Sequence, residues 1–125
     1  LVFSLEGKAQ VPPQPPPYFP QPIADPAFMP DEKLAAKGYN LYWKCFNCHG
    51  AKVIAKGMAP DLRASPIVHN QIVFNSVVRE GIKADMGMPA YKALTDEDLR
   101  ALRHYINTQA NESLKENVRT RAVGF

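Results

Sequence analysis

The chain has 125 residues and a mass of 13.9 kDa, one domain's worth, so this stretch is not a multidomain enzyme. Fifteen basic against twelve acidic side chains give +3 with histidine neutral, too mild a charge for a nucleic-acid binder. No apolar run is long enough for a transmembrane helix, and two cysteines cannot build a disulfide scaffold.

Residues 1–30 hold nine of the twelve prolines. Pro12-Pro13-Gln14-Pro15-Pro16-Pro17 cannot be helical, because proline lacks the amide donor and clashes with the preceding turn. An extended polyproline II spacer is expected there. Ahead of it, Leu1-Val2-Phe3-Ser4-Leu5 reads as a short strand stopped by Glu6-Gly7-Lys8. A lone strand needs a partner for its edges. The chain starts without Met, a basic leader or a cleavage motif, so the reading expects the back end of a longer polypeptide. A processed start followed by a disordered arm is the alternative.

Residues 31–110 form the expected folded unit. The spacing of Leu34, Gly38, Leu41, Tyr42 and Cys45 predicts a helix over 31–46, with Asp31 and Glu32 in its first turn where negative charge suits the dipole. A second helix is predicted over 66–80. Ser65 would cap it and Pro66 open it; Ile67, Ile72, Val73, Phe74, Val77 and Val78 would be its apolar face, and Gly81 its end. A third is predicted over 96–108, capped by Thr95, with acids at 96, 97 and 98 and a stripe of Leu99, Leu102, Tyr105 and Ile106. Loops fill 50–64 and 81–94, and no alternating strand pattern is present. The fold class is therefore all-α. Residues 111–125 carry few apolar side chains and read as a helical extension or a loose tail.

The chemistry sits at Cys45-Phe46-Asn47-Cys48-His49. Cys-x-x-Cys-His is the attachment pattern of haem c. Two sulfurs three positions apart on a helix share a face and can reach two vinyl groups of one porphyrin, and the following imidazole projects under the iron. A thioredoxin-like redox pair would want a βαβ context that the pattern lacks. A zinc site would want a second ligand cluster, and only His69 and His104 remain. A disulfide between such close neighbours would be strained.

The sixth iron position decides the function. Four methionines are candidates. Met29 lies in the proline segment, and Met58 is only nine residues past His49. Met86 and Met88 lie in the loop between the second and third predicted helices. Met88 is favoured, because Pro89 holds the preceding residue extended and the loop can return over the opposite haem face. Met86 is the first alternative, then His69 or His104. A distal site left open, serving an enzyme or a gas binder, is the alternative function. No carboxylate pair, Ser–His arrangement or glycine-rich phosphate loop stands out, so a carrier is expected rather than an enzyme in its own right.

With these residues in place, the chain resembles a class I c-type cytochrome domain. The matching motifs are Gly38-x-x-Leu41-Tyr42, Cys45-x-x-Cys48-His49-Gly50, Met88-Pro89 and Leu99-x-x-Leu102-x-x-Tyr105-Ile106, over about residues 31–110. The resemblance implies three main helices around one covalently bound haem, with Gly38 and Tyr42 meeting Leu102 and Tyr105. It implies that the Pro60 carbonyl receives the His49 imidazole, and it makes Arg63 a candidate partner for a haem propionate, with a plain surface arginine as the alternative. With His49 and Met88 as axial ligands the iron would exchange electrons with little reorganisation. Phe46, Ile54 and Met86 are expected near the haem edge, and Lys44, Lys52, Lys56, Lys83 and Lys92 could steer an acidic partner.

More narrowly, the order of strand, Gly7-Lys8, proline-rich linker and a haem domain bearing Ala59-Pro60-Asp61-Leu62-Arg63 resembles the C-terminal part of quinohaemoprotein alcohol dehydrogenases. In that family a pyrroloquinoline-quinone (PQQ) propeller oxidises the alcohol and the tethered cytochrome domain takes the electrons for another redox protein. Leu1–Leu5 would then be the last piece of the propeller and residues 9–30 the linker; PQQ would not be bound by this segment. The resemblance also implies a periplasmic location, since covalent haem attachment takes place outside the reducing cytoplasm; a monomeric domain is expected.

Overall fold

The computed structural model describes residues 12, 13, 15 and 20–122, with side chains to residue 117. The strand expected over Leu1–Leu5 and most of the polyproline run lie outside the described residues. Those described are helical, with no strand among them.

Helix α1 spans Glu32–Tyr42. Asp31 caps it: its Oδ1 accepts the Leu34 amide at 3.0 Å. The expected helix over 31–46 is interrupted after Tyr42. The Lys44 and Cys45 amides reach back only three residues, to Leu41 and Tyr42, and this tighter turn redirects the chain. A separate short helix, α2 (Phe46–His49), then carries the cysteine motif. Gly50 ends it at φ 86°. Lys52 and Val53 follow at φ 53° and 62°, a strained pairing for side chains with a Cβ. Complete burial of Val53 holds that backbone in place.

The helix expected over 66–80 is two elements. Pro66–His69 is a 3-10 turn, and α3 proper is Gln71–Val78. Asn70 makes the break: its Oδ1 accepts the Val73 amide at 3.1 Å and starts a new helix. Starting there narrows the apolar face. Phe74, Val77 and Val78 are buried, whereas Ile72 is 79% exposed and Val73 is exposed as well, contrary to the sequence expectation.

Helix α4 spans Asp96–Ala122, much longer than the expected 96–108. Thr95 and Asp98 cap it reciprocally, the Asp98 amide donating to Thr95 Oγ1 at 3.1 Å and the Thr95 amide to Asp98 Oδ2 at 3.0 Å. Of the two readings of residues 111–125, the helical extension holds as far as the structure describes them.

Helices α1 and α4 cross at Gly38. A Cβ there would strike the Ala101 carbonyl oxygen and lie 2.7 Å from Tyr105 Cβ, so only glycine permits this approach. The Tyr42 and Tyr105 rings meet at a tilt, with centroids 5.2 Å apart, as expected. Leu99, Leu102, Val53 and Val68 are the largest fully buried side chains. The end of the proline-rich arm is fastened to this body. Ile23 N–H donates to the Arg63 carbonyl at 2.8 Å, the Phe28 ring lies 4.8 Å from that of His104, and the Asp31 amide donates to His104 Nε2 at 3.0 Å.

Candidate haem site

The short helix α2 sets one wall. Its backbone places Cys45, Cys48 and His49 on a single turn, the Cys48 and His49 amides both bonding the Cys45 carbonyl at 3.2 and 2.9 Å. Neither cysteine is in a disulfide. Burial pushes the Cys45 thiol up to about 11, with the Lys44 charge opposing. His49 is 7% exposed, and its Nδ1 lies 3.0 Å from the Pro60 carbonyl oxygen. A carbonyl only accepts, so Nδ1 carries the proton and donates, and Nε2 keeps its lone pair for a metal. The bond fixes both ring orientation and tautomer. It is the one that the resemblance implied for Pro60. Beneath it, Tyr42 Oη donates to the Gly50 carbonyl at 2.7 Å.

The opposite wall is the loop after α3. Gly81, at φ 75°, pinches the loop's neck: a Cβ there would lie 2.6 Å from that of Ala90. The Tyr91 amide donates to the Val78 carbonyl at 2.8 Å and closes the neck. Met88 is partly buried and packs against the core. Met86 is 80% exposed.

Between the walls lies a cavity of about 260 Å³. Cys45, Cys48 and His49 of the short helix line it together with Met86, Met88, Pro89 and Tyr91 of the loop, and Leu62, Ile67 and Val77 add apolar surface. Met58 also lines it but is 77% exposed. His69 and His104 do not line it, nor does Met29, which is exposed elsewhere. His104 is engaged with Asp31 and Phe28.

The other expected site residues lie as follows. Arg63 does not line this cavity. Its guanidinium forms a two-point ion pair with Asp61, at 3.0 Å from Nε and 2.7 Å from Nη2, and Nη1 donates to Ser113 Oγ at 2.9 Å. A carboxylate two residues away satisfies the fork first, and Arg63 faces a separate hollow beside Pro20, Pro22 and Asn117. Ile54 lines that second hollow rather than the haem cavity. Phe46 is turned against Trp43, with centroids 5.2 Å apart, and against the core. Of the lysines, Lys44 and Lys83 line the cavity; Lys52, Lys56 and Lys92 do not. The sequence reading passed over Tyr91, whose hydroxyl donates to the Lys44 carbonyl at 2.9 Å across the site. Nothing in the pattern Met88-Pro89-Ala90-Tyr91 marks that hydroxyl.

The donor set fits a haem c. Two unbridged thiols spaced for two vinyl groups share an apolar cavity with an imidazole whose Nε2 is available and with a thioether on the other wall. Among the described residues no three His, Cys, Asp or Glu side chains gather as a zinc site requires. A family model described as "Cytochrome C oxidase, cbb3-type, subunit III" matches residues 32–106.

The chain belongs to this c-type cytochrome family.

The matched span runs from α1 through the helix crossing and includes both walls of the cavity. As a cytochrome domain the chain is an electron carrier, and the family implies haem c. It is similar to longer proteins. It is 34% identical over 95% of its length to "Alcohol dehydrogenase (quinone), dehydrogenase subunit" from Acetobacter aceti, and 33% over 97% to the protein of the same name from Gluconobacter oxydans (strain 621H). It is 34% identical over 90% to "Quinohemoprotein alcohol dehydrogenase ADH IIB" from Pseudomonas putida. The cytochrome chain spans 16% of the length of each of these relatives. No described helix is long and apolar enough to cross a membrane.

Proposed function

We propose that this cytochrome domain holds one haem c, bonded through Cys45 and Cys48, with His49 and Met88 as the axial ligands. It takes electrons from a PQQ-dependent alcohol dehydrogenase domain and passes them to another redox protein. The observation that carries the reading is one apolar cavity lined by both the Cys-x-x-Cys-His turn and Met88. Bound there, the haem supplies a one-electron couple whose potential the thioether raises.

The chain's own residues do the rest. The Pro60 carbonyl holds the His49 ring so that Nε2 alone is presented. Met88 is favoured over Met86 and Met58 because it alone of the three packs against the core. Leu62, Ile67 and Val77 keep water from the cavity and so favour the less charged ferrous state. Lys44 and Lys83 place positive charge at its rim, which suits brief contact with an acidic redox partner. The dehydrogenase context is supported by the similarity to quinone-dependent alcohol dehydrogenases across nearly the whole chain. Alcohol oxidation and PQQ binding would belong to the part of such a protein that this segment does not cover. Haem c attachment and those relatives together favour the periplasm.

The test is the optical spectrum and reduction potential of wild type against Met88→Ala and Met86→Ala. Loss of the ferric methionine–iron band and a fall in potential are expected for Met88→Ala alone. Loss of the band in Met86→Ala instead would move the ligand, and its absence from wild type would support the open-site reading.

A further inference from the structure

The two walls of the haem cavity are built differently, and one hydrogen bond joins them. The bonds of the distal loop run mostly within itself: the Met86 and Met88 amides both go to the Lys83 carbonyl, at 2.9 and 3.3 Å, and the Gly87 amide goes to Ala84 at 3.0 Å. Its neck is tied to α3 through Tyr91 N–H and Val78 O. At its tip Gly87, which lines the cavity, has no other protein atom within 4 Å of where a Cβ would stand. Among the described residues, the bond from the Tyr91 hydroxyl to the Lys44 carbonyl, at 2.9 Å, is the one that links this loop to the segment leading into Cys45. Lys44 directly precedes the attachment motif, so the bond spans the cavity from the base of the distal loop to the base of the proximal turn.

We infer that Tyr91 is a positioning residue: its hydroxyl clamps the Met88 loop against the Cys45 segment and holds the distal ligand closed. The inference rests on Met88 being the distal ligand. Tyr91 is well placed for the task. Its own amide is pinned at the loop's neck, three residues from Met88, and its ring lines the cavity. One residue thus fixes the loop at two points, by backbone to α3 and by side chain to the proximal segment. Removing the hydroxyl leaves the first tie intact and frees the second, so the loop keeps its shape but opens more often.

Opening can be read without any activity measurement, because an added ligand binds the iron only when Met88 is away. Its apparent affinity scales with the open fraction. A solvent-accessible hydrogen bond of this kind shifts such a ratio by about fivefold. The experiment is an optical titration of the ferric haem-loaded protein with imidazole, in wild type, Tyr91→Phe, Met88→Ala and Arg103→Met. Arg103 Nε donates to the Val68 carbonyl at 2.8 Å and ties α4 to the 3-10 turn before α3, so its loss removes a tertiary bond, charged and more buried, outside the cavity. Tyr91→Phe is expected to bind imidazole about fivefold more tightly than wild type. Arg103→Met should lose thermal stability with its imidazole affinity unchanged, and Met88→Ala should bind most tightly of all.

Tyr91→Phe matching wild type while Met88→Ala binds tightly would overturn the clamp and leave the ligand assignment standing. Equal tightening in Tyr91→Phe and Arg103→Met would also overturn it, as general loosening. No tightening in Met88→Ala would overturn the ligand assignment and the clamp together.

Discussion

The proximal and distal walls of the cavity both turn on a glycine with positive φ, and they use it in opposite ways. Gly50 sits at φ 86° and ψ 163°, in a region that essentially only glycine enters. It is buried, and a Cβ there would strike the Ile54 carbonyl oxygen. Around it Tyr42 donates to its carbonyl, and His49 beside it donates to Pro60. Gly87 sits at φ 94° and ψ 1° at the tip of the distal loop, where a Cβ would meet no other part of the protein. The proximal wall is thus fixed by close contact and the distal wall by a few ties at its neck. The imidazole is held in one orientation, and the thioether is supplied by an element that can be loosened without disturbing the fold.

The same substitution at both glycines breaks or sustains that contrast. Gly50→Ala combines forbidden backbone with a clash and should cost about 2–5 kcal/mol, read by denaturant unfolding of the haem-loaded protein. Tyr42→Phe comes next. Burial pushes the Tyr42 phenol well above its ordinary range, so at neutral pH it is a protonated donor. Removing it strands the Gly50 carbonyl in the core, at a cost of about 1–3 kcal/mol in the same assay. Gly87→Ala meets only the left-handed strain and should cost about 1 kcal/mol. Equal losses at Gly50 and Gly87 would show that the two walls are not built differently.

A smaller effect sharpens the picture away from the site. His104 accepts the Asp31 amide through Nε2, so that nitrogen must be unprotonated. Burial holds the His104 pKa below its ordinary 6.5, with Arg100 reinforcing and Asp31 opposing. A base whose pKa is lowered on folding binds fewer protons folded than unfolded. Its contribution is therefore complete above pH 6.5 and fades as pH falls below that through the folded-state value. The stability difference between wild type and His104→Gln, measured by denaturant titration, should shrink from pH 7.5 to pH 5. A difference independent of pH would mean that His104 does not hold the arm.

Much of this was legible in the sequence, for local reasons. Cys45, Cys48 and His49 lie within one helical turn, so their spacing alone fixes a common face. The cap at Thr95 is a short-range bond that any chain with that residue can make, whereas Asp31, expected inside the first turn, turned out to be the cap of α1. What was not legible depended on tertiary choice. Ser65-Pro66 and Asn70 are both sound helix starts, and only packing of Phe74, Val77 and Val78 selects the second, leaving Ile72 in solvent. The long α4 could not be read from residues 111–117, which are mostly polar. It is steadied by Arg63, which bridges Asp61 to Ser113. The same bridge draws Arg63 away from the haem cavity. Tyr91 is the instructive case: its ring was visible as one more aromatic, but its hydroxyl acquires a partner 47 residues away only once the loop has closed.

Whether a porphyrin is joined by two sulfurs to this chain is read from the mass of the coloured protein after denaturation in acid. A species heavier than the 13.9 kDa polypeptide by one haem is expected, with the added mass on the peptide containing Cys45 and Cys48. A bare 13.9 kDa chain, its colour left behind in the solvent, would contradict it.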